Sequence, residues 1–266
     1  MLGIGRFVAT LFLQRAMIFG LTKHELRMRY AGTLAGILWS FVQPLLTILT
    51  YWLVFDWGLK VQPANNLPFT VVFVCGIVPW MTFAEAVNNS ANAVTSHSHL
   101  VRKIAFPTEI LPAVNVLTSL VPHLFLLLML MILIAFFHLP FSFMFFQSLY
   151  FLAAMTVLAI GIGWFLGALN VFYRDLGQAV TPITGLWFWL TPIVWPIEMV
   201  PERIRPWLAL NPMTYIVEGY RNSFLYARPF WADWIGTVAF WSFAIGMLLI
   251  GAFVFKRLKP EFADVL

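Results

Sequence analysis

The formal charges of this chain are distributed so unevenly that they fix its fold class. Five long stretches contain no Asp, Glu, Lys or Arg: Tyr30 to Phe55, Val61 to Ala84, Ile110 to Tyr173, Leu176 to Ile197 and Trp234 to Phe255. An α-helix rises about 1.5 Å per residue and needs about 20 apolar residues to cross the hydrocarbon layer of a membrane. Four stretches fit one crossing each, and the stretch from Ile110 to Tyr173 fits two.

The sequence therefore predicts an all-α membrane protein with six transmembrane helices in a single domain, residues 1–266. The predicted spans cover residues 34–57, 69–89, 110–137, 143–172, 177–196 and 234–255. Only 10% of the residues are charged, whereas soluble domains carry about 25%. A soluble protein of this size would lack the charged coat that it needs.

The net charge of +5 is interpreted through membrane topology and not through nucleic-acid binding, since cytoplasmic loops keep an excess of Lys and Arg. Basic residues are concentrated in the N-terminal segment, at Arg102 and Lys103, at Arg174 and in the C-terminal tail. This pattern predicts that both termini are cytoplasmic. Cys75 is the only cysteine, which excludes an internal disulfide.

Residues 5–31 are predicted to form an amphipathic helix that lies in the membrane interface. Lys23 and Arg27 fall on one face of this helix. Apolar side chains recur at helical spacing on the opposite face, at Phe7, Leu11, Ile18 and Leu21.

Two loops have more structure than a simple connector requires. The segment from Thr95 to Ile104 begins with Ser and Thr and ends with basic residues, which favours a short cytoplasmic helix. A solvated basic connector is the alternative. The loop from Glu198 to Asp233 contains Asn211 followed by Pro212, a good start for a helix. Its apolar stretches are too short to cross the membrane, so short helices on the outer face are predicted before the last span.

Two predicted spans carry a stripe of polar and aromatic side chains at helical spacing. The first-span stripe consists of Ser40, Gln43, Thr47 and Tyr51. The fifth-span stripe consists of Thr181, Thr184, Phe188, Thr191 and Trp195. Such stripes could line a conduit for a polar, uncharged substrate such as a sugar. Equally, Ser, Thr and Gln side chains could join neighbouring helices by hydrogen bonds.

Titratable groups are rare within the predicted spans, which argues against an ion-coupled transporter. Glu85 stands beside Asn88, Asn89 and Asn92 and is expected to face water or a cavity. His123 is expected to form a hydrogen bond to a neighbouring helix. Gly163 and Gly167 are expected to form a packing notch.

No lysine in this chain follows a glycine, so a phosphate-binding loop of the Walker type is absent. Active transport would therefore need an ATPase on a separate chain. The basic N-terminal helix and the segment from Thr95 to Ile104 are candidate docking surfaces for it.

Several motifs resemble those of type-2 ABC exporter permeases that move bacterial surface polysaccharides. They are Leu26-Arg27-Met28-Arg29-Tyr30, Gly32, Gly36, Trp39-Ser40-Phe41-Val42-Gln43-Pro44-Leu45-Leu46, Arg102-Lys103-Ile104-Ala105-Phe106-Pro107, Asn170-Val171-Phe172-Tyr173-Arg174-Asp175-Leu176, Leu190-Thr191-Pro192-Ile193-Val194-Trp195-Pro196 and Leu210-Asn211-Pro212-Met213. The resemblance extends over nearly the whole chain and is greatest to permeases that export lipid-linked O-antigen, with capsule and teichoic acid exporters next.

This resemblance implies a transport subunit and not an enzyme, in the bacterial inner membrane. It implies a homodimer bound to two ATP-binding cassette subunits, so that ATP and Mg belong to the partner and this chain holds no cofactor. The implied substrate is a polysaccharide linked to undecaprenyl diphosphate. The loop after the second span would be the coupling helix on the ATPase, through His97, His99, Leu100, Arg102 and Lys103. Arg27 and Arg29 would hold the lipid diphosphate at the inner entrance, although topology alone could account for them.

Two alternatives remain open. A type-2 permease for teichoic acid, capsule or a drug would keep the fold and change the cargo. An intramembrane glycosyl or acyl transferase would need a cluster of Asp, Glu, His or Arg near one interface. The scattered Glu85, His97, His99, Glu109 and Asp175 do not form such a cluster by spacing.

Overall fold

A computed structural model describes residues 2–30, 39–60, 67–102, 106–195, 200–203 and 205–266. These residues form helices joined by turns and irregular segments, with no strand among them. The long helices are α3 (Trp39–Tyr51), α4 (Phe69–Ala91), α7 (Ile110–Phe136), α8 (Ser148–Phe172), α9 (Asp175–Trp189) and α12 (Trp234–Leu258), preceded by α1 (Leu2–Leu13) and α2 (Arg15–Tyr30). The short helices are α5 (Ala93–Ser96), α6 (Ser98–Val101), α10 (Arg205–Ala209), α11 (Pro212–Arg221) and α13 (Phe262–Val265).

Four helical runs in the described residues are long and apolar enough to cross a membrane: Phe69–Ala91, Ile110–Phe136, Phe143–Phe172 and Phe230–Val265. The bounds of the first three runs lie close to the second, third and fourth predicted spans, whereas the last run contains the sixth predicted span, 234–255, and extends beyond both of its ends. The third of these runs begins as a 3-10 helix at Phe143–Gln147, and the last begins as a 3-10 helix at Phe230–Asp233.

The helix α4 lies at the centre of the fold. In the most apolar window of α4, 72% of the residues are buried inside the molecule, compared with 28% for the C-terminal run.

Glycines of α8 allow the neighbouring helices α4 and α12 to approach α8 closely. A Cβ at Gly163 would lie 2.7 Å from the Cβ of Ser90 on α4, and one at Gly161 would lie 2.7 Å from the backbone nitrogen of Leu248 on α12. The predicted notch at Gly163 and Gly167 is therefore confirmed as a packing feature, because both glycines face Ser90.

The first predicted span begins in residues 34–38, which lie outside the described part of the chain. From Trp39 the span is helical, with α3 followed by a π-helix at Trp52–Gly58. Together the two segments form an uninterrupted helical run whose length, at about 1.5 Å per residue, approaches the thickness of the hydrocarbon layer. Crossing by this span remains a prediction.

The prediction that a helix continues from residue 177 to 196 was wrong at its C-terminal end. The helix α9 ends at Trp189, and its length of about 22 Å falls short of the hydrocarbon thickness. Thr191 precedes Pro192, which lacks an N–H group and disfavours helical geometry at the residue before it. Thr191 to Val194 follow as buried irregular backbone, and Pro196 lies outside the described residues.

The irregular backbone after α9 is held by a buried arginine of α11. Arg221 is only 4% exposed, and its guanidinium donates to the carbonyl oxygens of Pro192 and Ile193 at 2.8 and 2.9 Å. The same group pairs with Glu218 at 2.6 Å. Irregular backbone at membrane depth requires such internal partners.

The N-terminal segment was predicted as one helix over residues 5–31 and instead forms two, α1 and α2, separated at Gln14. Residue 31 lies outside the described part. Phe7 and Ile18 of the predicted apolar face are buried. Phe7 contacts the rings of Trp164 and Phe255, so this face packs against other helices of the protein. Phe7 is thus covered by aromatic side chains of the protein, and the location of this segment in the membrane interface stays a prediction.

Candidate functional site

A cavity of about 890 Å³ lies between α3, α4 and α9, with α7 behind it and the end of α2 at one side. Gln43, Thr47 and Tyr51 face it from α3, at intervals of four residues that place them on one helical face. The wall formed by α4 consists of Ile77, Trp80, Met81, Thr82, Ala84, Glu85, Asn88 and Asn89. The wall formed by α9 consists of Thr181, Thr184, Gly185, Phe188 and Trp189.

One end of the cavity is aromatic. The ring of Tyr51 stacks on Phe73, with centroids 5.0 Å apart, and meets Phe188 edge to face at 5.7 Å. The Trp80 ring lies 5.8 Å from Phe188. Because Tyr51, Trp80 and Phe188 come from three different helices, this end is formed only in the folded protein.

The other end is polar. Asn88 accepts a hydrogen bond from the Thr181 hydroxyl at 2.8 Å and donates to the Thr184 hydroxyl at 3.2 Å. Arg29, in the last turn of α2, forms an ion pair with Glu85 on α4. From Thr181 to Phe188 the cavity wall runs for about 10 Å along α9, so the polar and aromatic ends are about two helical turns apart.

The chemistry of the cavity is that of a binding surface. Arg29 and Glu85 are the charged residues among the described lining residues, and they neutralise each other. No group of three or more His, Cys, Asp or Glu side chains that could hold a metal ion occurs in the described part of the chain. Hydroxyl, amide and ring surfaces of this kind suit sugar rings, which present both hydroxyls and apolar faces.

Most members of the two stripes line this one cavity: Gln43, Thr47, Tyr51, Thr181, Thr184 and Phe188. Ser40 lies in the first turn of α3, and its side chain is outside the described part. Arg29 also lines the cavity, whereas Arg27 is exposed and lies outside the lining.

Two stripe residues have packing roles, which corrects their assignment to the lining. Thr191 is fully buried, donates to the carbonyl of Trp187 at 2.9 Å and accepts from Asn211 at 3.0 Å. Trp195 follows the end of the helix and donates from Nε1 to the carbonyl of Trp189 at 3.1 Å. Neither residue continues the helical face of the stripe, because α9 ends at Trp189, before both of them.

The contribution of α4 was missed except for Glu85, Asn88 and Asn89. The expectation that Glu85 faces a cavity is confirmed. A sequence signal for the rest existed in the helical spacing of Ile77, Trp80, Met81 and Ala84, which leads into Glu85 and Asn88. Apolar members hid this face, because Ile, Trp and Met are equally common in packed cores.

The expected bond of His123 to a neighbouring helix is confirmed on both sides of the ring. Nδ1 lies 2.8 Å from the hydroxyl of Thr82 on α4, and Nε2 lies 2.9 Å from that of Tyr220 on α11. All three side chains are buried. Since Thr82 also lines the cavity, these two hydrogen bonds connect the cavity wall to α11.

The segment predicted as the coupling helix forms two single-turn helices, α5 and α6, joined at His97. His97 Nε2 lies 2.8 Å from a carboxylate oxygen of Glu25 on α2, and Leu100 packs in an apolar cluster with Phe7 and Phe262. His99 and Arg102 are exposed. Lys103 and Ile104 lie outside the described residues. The continuous helix that was predicted is interrupted because His97 adopts a non-helical conformation.

Comparison with known proteins shows what the chain is similar to. The profile of the family described as ABC-2 type transporter matches residues 17–225. The O-antigen export system permease protein RfbA of Myxococcus xanthus is 30% identical over 262 residues, 97% of this chain and 98% of that protein. A protein of the same name from Klebsiella pneumoniae is 26% identical over 247 residues, 92% and 93% of the two chains. The polysialic acid transport protein KpsM of Escherichia coli is 21% identical over 212 residues, 79% and 81% of the two chains.

Proposed function

The chain belongs to the ABC-2 type transporter family, and from this premise we propose that it is the transmembrane subunit of an ATP-driven polysaccharide exporter. Its substrate is an O-antigen type polysaccharide linked to undecaprenyl diphosphate, which it carries outward across the inner membrane. The names of the most similar relatives support this cargo. The observation that carries the proposal is the cavity with a polar end and an aromatic end.

The energy comes from a separate ATP-binding cassette subunit, since membership of the family implies such a partner and this chain lacks a phosphate loop. Two copies of this chain and two ATPase subunits form the complete exporter, with both termini in the cytoplasm and six crossings per copy, of which the fifth consists of α9 and the irregular backbone that follows it. A second copy or lipid would cover the apolar side chains beside the cavity on α3 and α9. Four of them are exposed: Leu45, Leu46, Ile183 and Leu186.

The mechanism follows from the chemistry of the cavity. The polar end receives the substrate first: Arg29 binds the diphosphate, and Asn88 with its partners Thr181 and Thr184 contacts the first sugar. The aromatic end, at Tyr51 and Phe188, supports the sugar rings that follow by stacking on their apolar faces. A neutral lining lets the glycan slide, because each contact is weak and the next one is equivalent. Closure of the ATPase subunits moves α5 and α6 and opens the path.

The test is surface export of the glycan by variants that lose one ring. Tyr51→Leu and Phe188→Leu keep apolar bulk and remove the stacking surface, so export should fall roughly fivefold if each ring contributes about 1 kcal/mol. Phe243→Leu is the matched control, because Phe243 is an exposed aromatic residue of α12 outside the cavity lining. Unchanged export by both cavity variants, at equal assembly with the ATPase, would refute the proposed path.

Capsular polysaccharide is the second candidate cargo. The chain is also similar to a capsule polysaccharide export inner-membrane protein of Neisseria meningitidis, CtrC, although at lower identity and coverage than to the O-antigen permeases. Export assays in strains that make either glycan separate the two. Teichoic acid, drug transport and an intramembrane transferase have no comparable support in the relatives.

A further inference from the structure

The ion pair between Arg29 and Glu85 stands where the polar end of the cavity meets the end of α2. Among the described residues that line the cavity, these two are the ones with a formal charge. They lie 56 residues apart in sequence, on separate helices, so the pair joins the N-terminal segment to the central helix. Glu85 is one helical turn from Asn88, which places the pair beside the amide that binds Thr181 and Thr184.

Each partner has the surroundings of an exchangeable group. The side chains of Arg29 and Glu85 are 30% and 32% exposed, so solvent reaches both. A pair that solvent reaches in this way is less costly to separate than a fully buried one. Arg29 also lies in the last turn of α2, where the helix dipole favours a positive charge. The positive charge of Arg29 is therefore favoured at this place apart from Glu85, and the guanidinium is available to another anion.

A diphosphate is a stronger partner for Arg29 than a single carboxylate. It carries more negative charge and offers several oxygens to the guanidinium fork, which binds phosphate in a bidentate manner. A diphosphate that reached Arg29 would also lie within a few ångströms of the Glu85 carboxylate. The repulsion between them favours separation of Glu85 from Arg29.

We propose that Glu85 is a competing counter-ion, which holds Arg29 across the end of the cavity until the diphosphate of a lipid-linked substrate replaces it. This inference rests on the proposed function and adds a role for a carboxylate that the export of a neutral glycan does not require. Glu85 thereby discriminates between anions, since only an anion that binds the Arg29 guanidinium more strongly than a carboxylate does will displace it. Exchange also releases α2 from α4, which connects loading of the cavity to the N-terminal segment.

The proposal predicts opposite effects from the two partners. Farnesyl diphosphate is titrated into the complete exporter, assembled with its ATPase in nanodiscs of neutral lipid, and its Kd is measured. Glu85→Gln should tighten binding roughly tenfold, because a like charge is removed from the site. Arg29→Gln should weaken it roughly tenfold or more. Arg15→Gln is the matched control and should leave the Kd unchanged, since Arg15 is exposed at the opposite end of the same helix and outside the lining.

Glu85→Asp provides a second variant in case the glutamine variant fails to assemble. Its carboxylate is withdrawn by one methylene, so a smaller tightening is expected. Inorganic pyrophosphate is titrated in parallel; weaker binding than that of farnesyl diphosphate is expected for a lipid-borne ligand, and equal affinities would overturn that assignment.

The outcomes separate this inference from the function on which it rests. If the wild-type exporter binds farnesyl diphosphate and both Glu85 and Arg29 variants bind it equally well, the counter-ion role is overturned and the diphosphate-linked cargo stands. Weaker binding by Glu85→Gln would also overturn it. If the wild-type exporter binds no farnesyl diphosphate, both the inference and the diphosphate-linked cargo are rejected.

Discussion

Arg221 satisfies the backbone in the part of the molecule where regular helix stops. Its guanidinium donates hydrogen bonds to the carbonyl oxygens of Pro192 and Ile193, which have no helical partners because they lie beyond the end of α9. Glu218 balances its charge. A short helix and an irregular segment thus become one unit.

We predict that Arg221→Ala destabilises the protein by about 3 kcal/mol or more, because it leaves buried carbonyls and the Glu218 carboxylate without a partner. Thermal unfolding in detergent, followed by intrinsic fluorescence, measures the effect as a lower Tm. Arg228→Ala is the control, since Arg228 is exposed just after the same region. Equal Tm values for the two variants would contradict the assigned role.

Asn211 illustrates what single residues reveal in advance. The cap before Pro212 was predicted and is confirmed, because Oδ1 of Asn211 accepts from the backbone N–H of Met213 at 3.0 Å. The same oxygen also accepts from Nε1 of Trp187 at 2.8 Å. A cap depends on adjacent residues and is visible in sequence, whereas a partner 24 residues away is set by how α9 and α11 pack.

At the scale of elements, the helices were predicted well where length and hydropathy alone determine them. The helices α4, α7 and α12 begin at or next to their predicted first residues. The prediction of the fifth span was wrong at its C-terminal end, because Pro192 disfavours continuation of α9 beyond Trp189. The signal was the pair Thr191 and Pro192, but a proline within a span is often tolerated in membranes, as Pro79 is in α4.

The segment formed by α5 and α6 belongs to the same scale. His97 joins it to Glu25 on α2, and Leu100 joins the cluster that holds Phe262 of α13. Three parts of the chain therefore meet at one surface, where His99 and Arg102 remain exposed. Arg102 also donates to the backbone carbonyl of Leu266. A displacement of this surface would therefore act on α2 and α13 together.

Cysteines placed at His99 and Arg102 should crosslink to cysteines on the ATPase subunit in the assembled exporter. The natural chain is a suitable background, because Cys75 is its only cysteine and is fully buried. A cysteine at Phe143 is the control, because Phe143 is 88% exposed and begins the fourth predicted span, which starts on the outer side if both termini are cytoplasmic. If positions 99 and 102 never crosslink while the complex is intact, α5 and α6 are not the coupling elements.

The whole molecule places the polar stripes of two spans around one cavity together with a third helix. Sequence periodicity predicted which faces of α3 and α9 are distinctive. Whether such a face lines a space or joins another helix depends on the packing of all the helices. The structure shows both outcomes within one stripe, since Thr181 faces the cavity whereas Thr191 is buried and bonded to Asn211.

The central claim is that the glycan passes through this cavity, and photocrosslinking in living cells tests it most directly. A benzophenone amino acid at Thr47, which faces the cavity from α3, is activated in cells that make the glycan. The purified protein should then carry a ladder recognised by antiserum against the glycan. The same amino acid at Leu128, exposed on α7 outside the cavity lining, should give none. A ladder at Leu128 with none at Thr47 would contradict the claim.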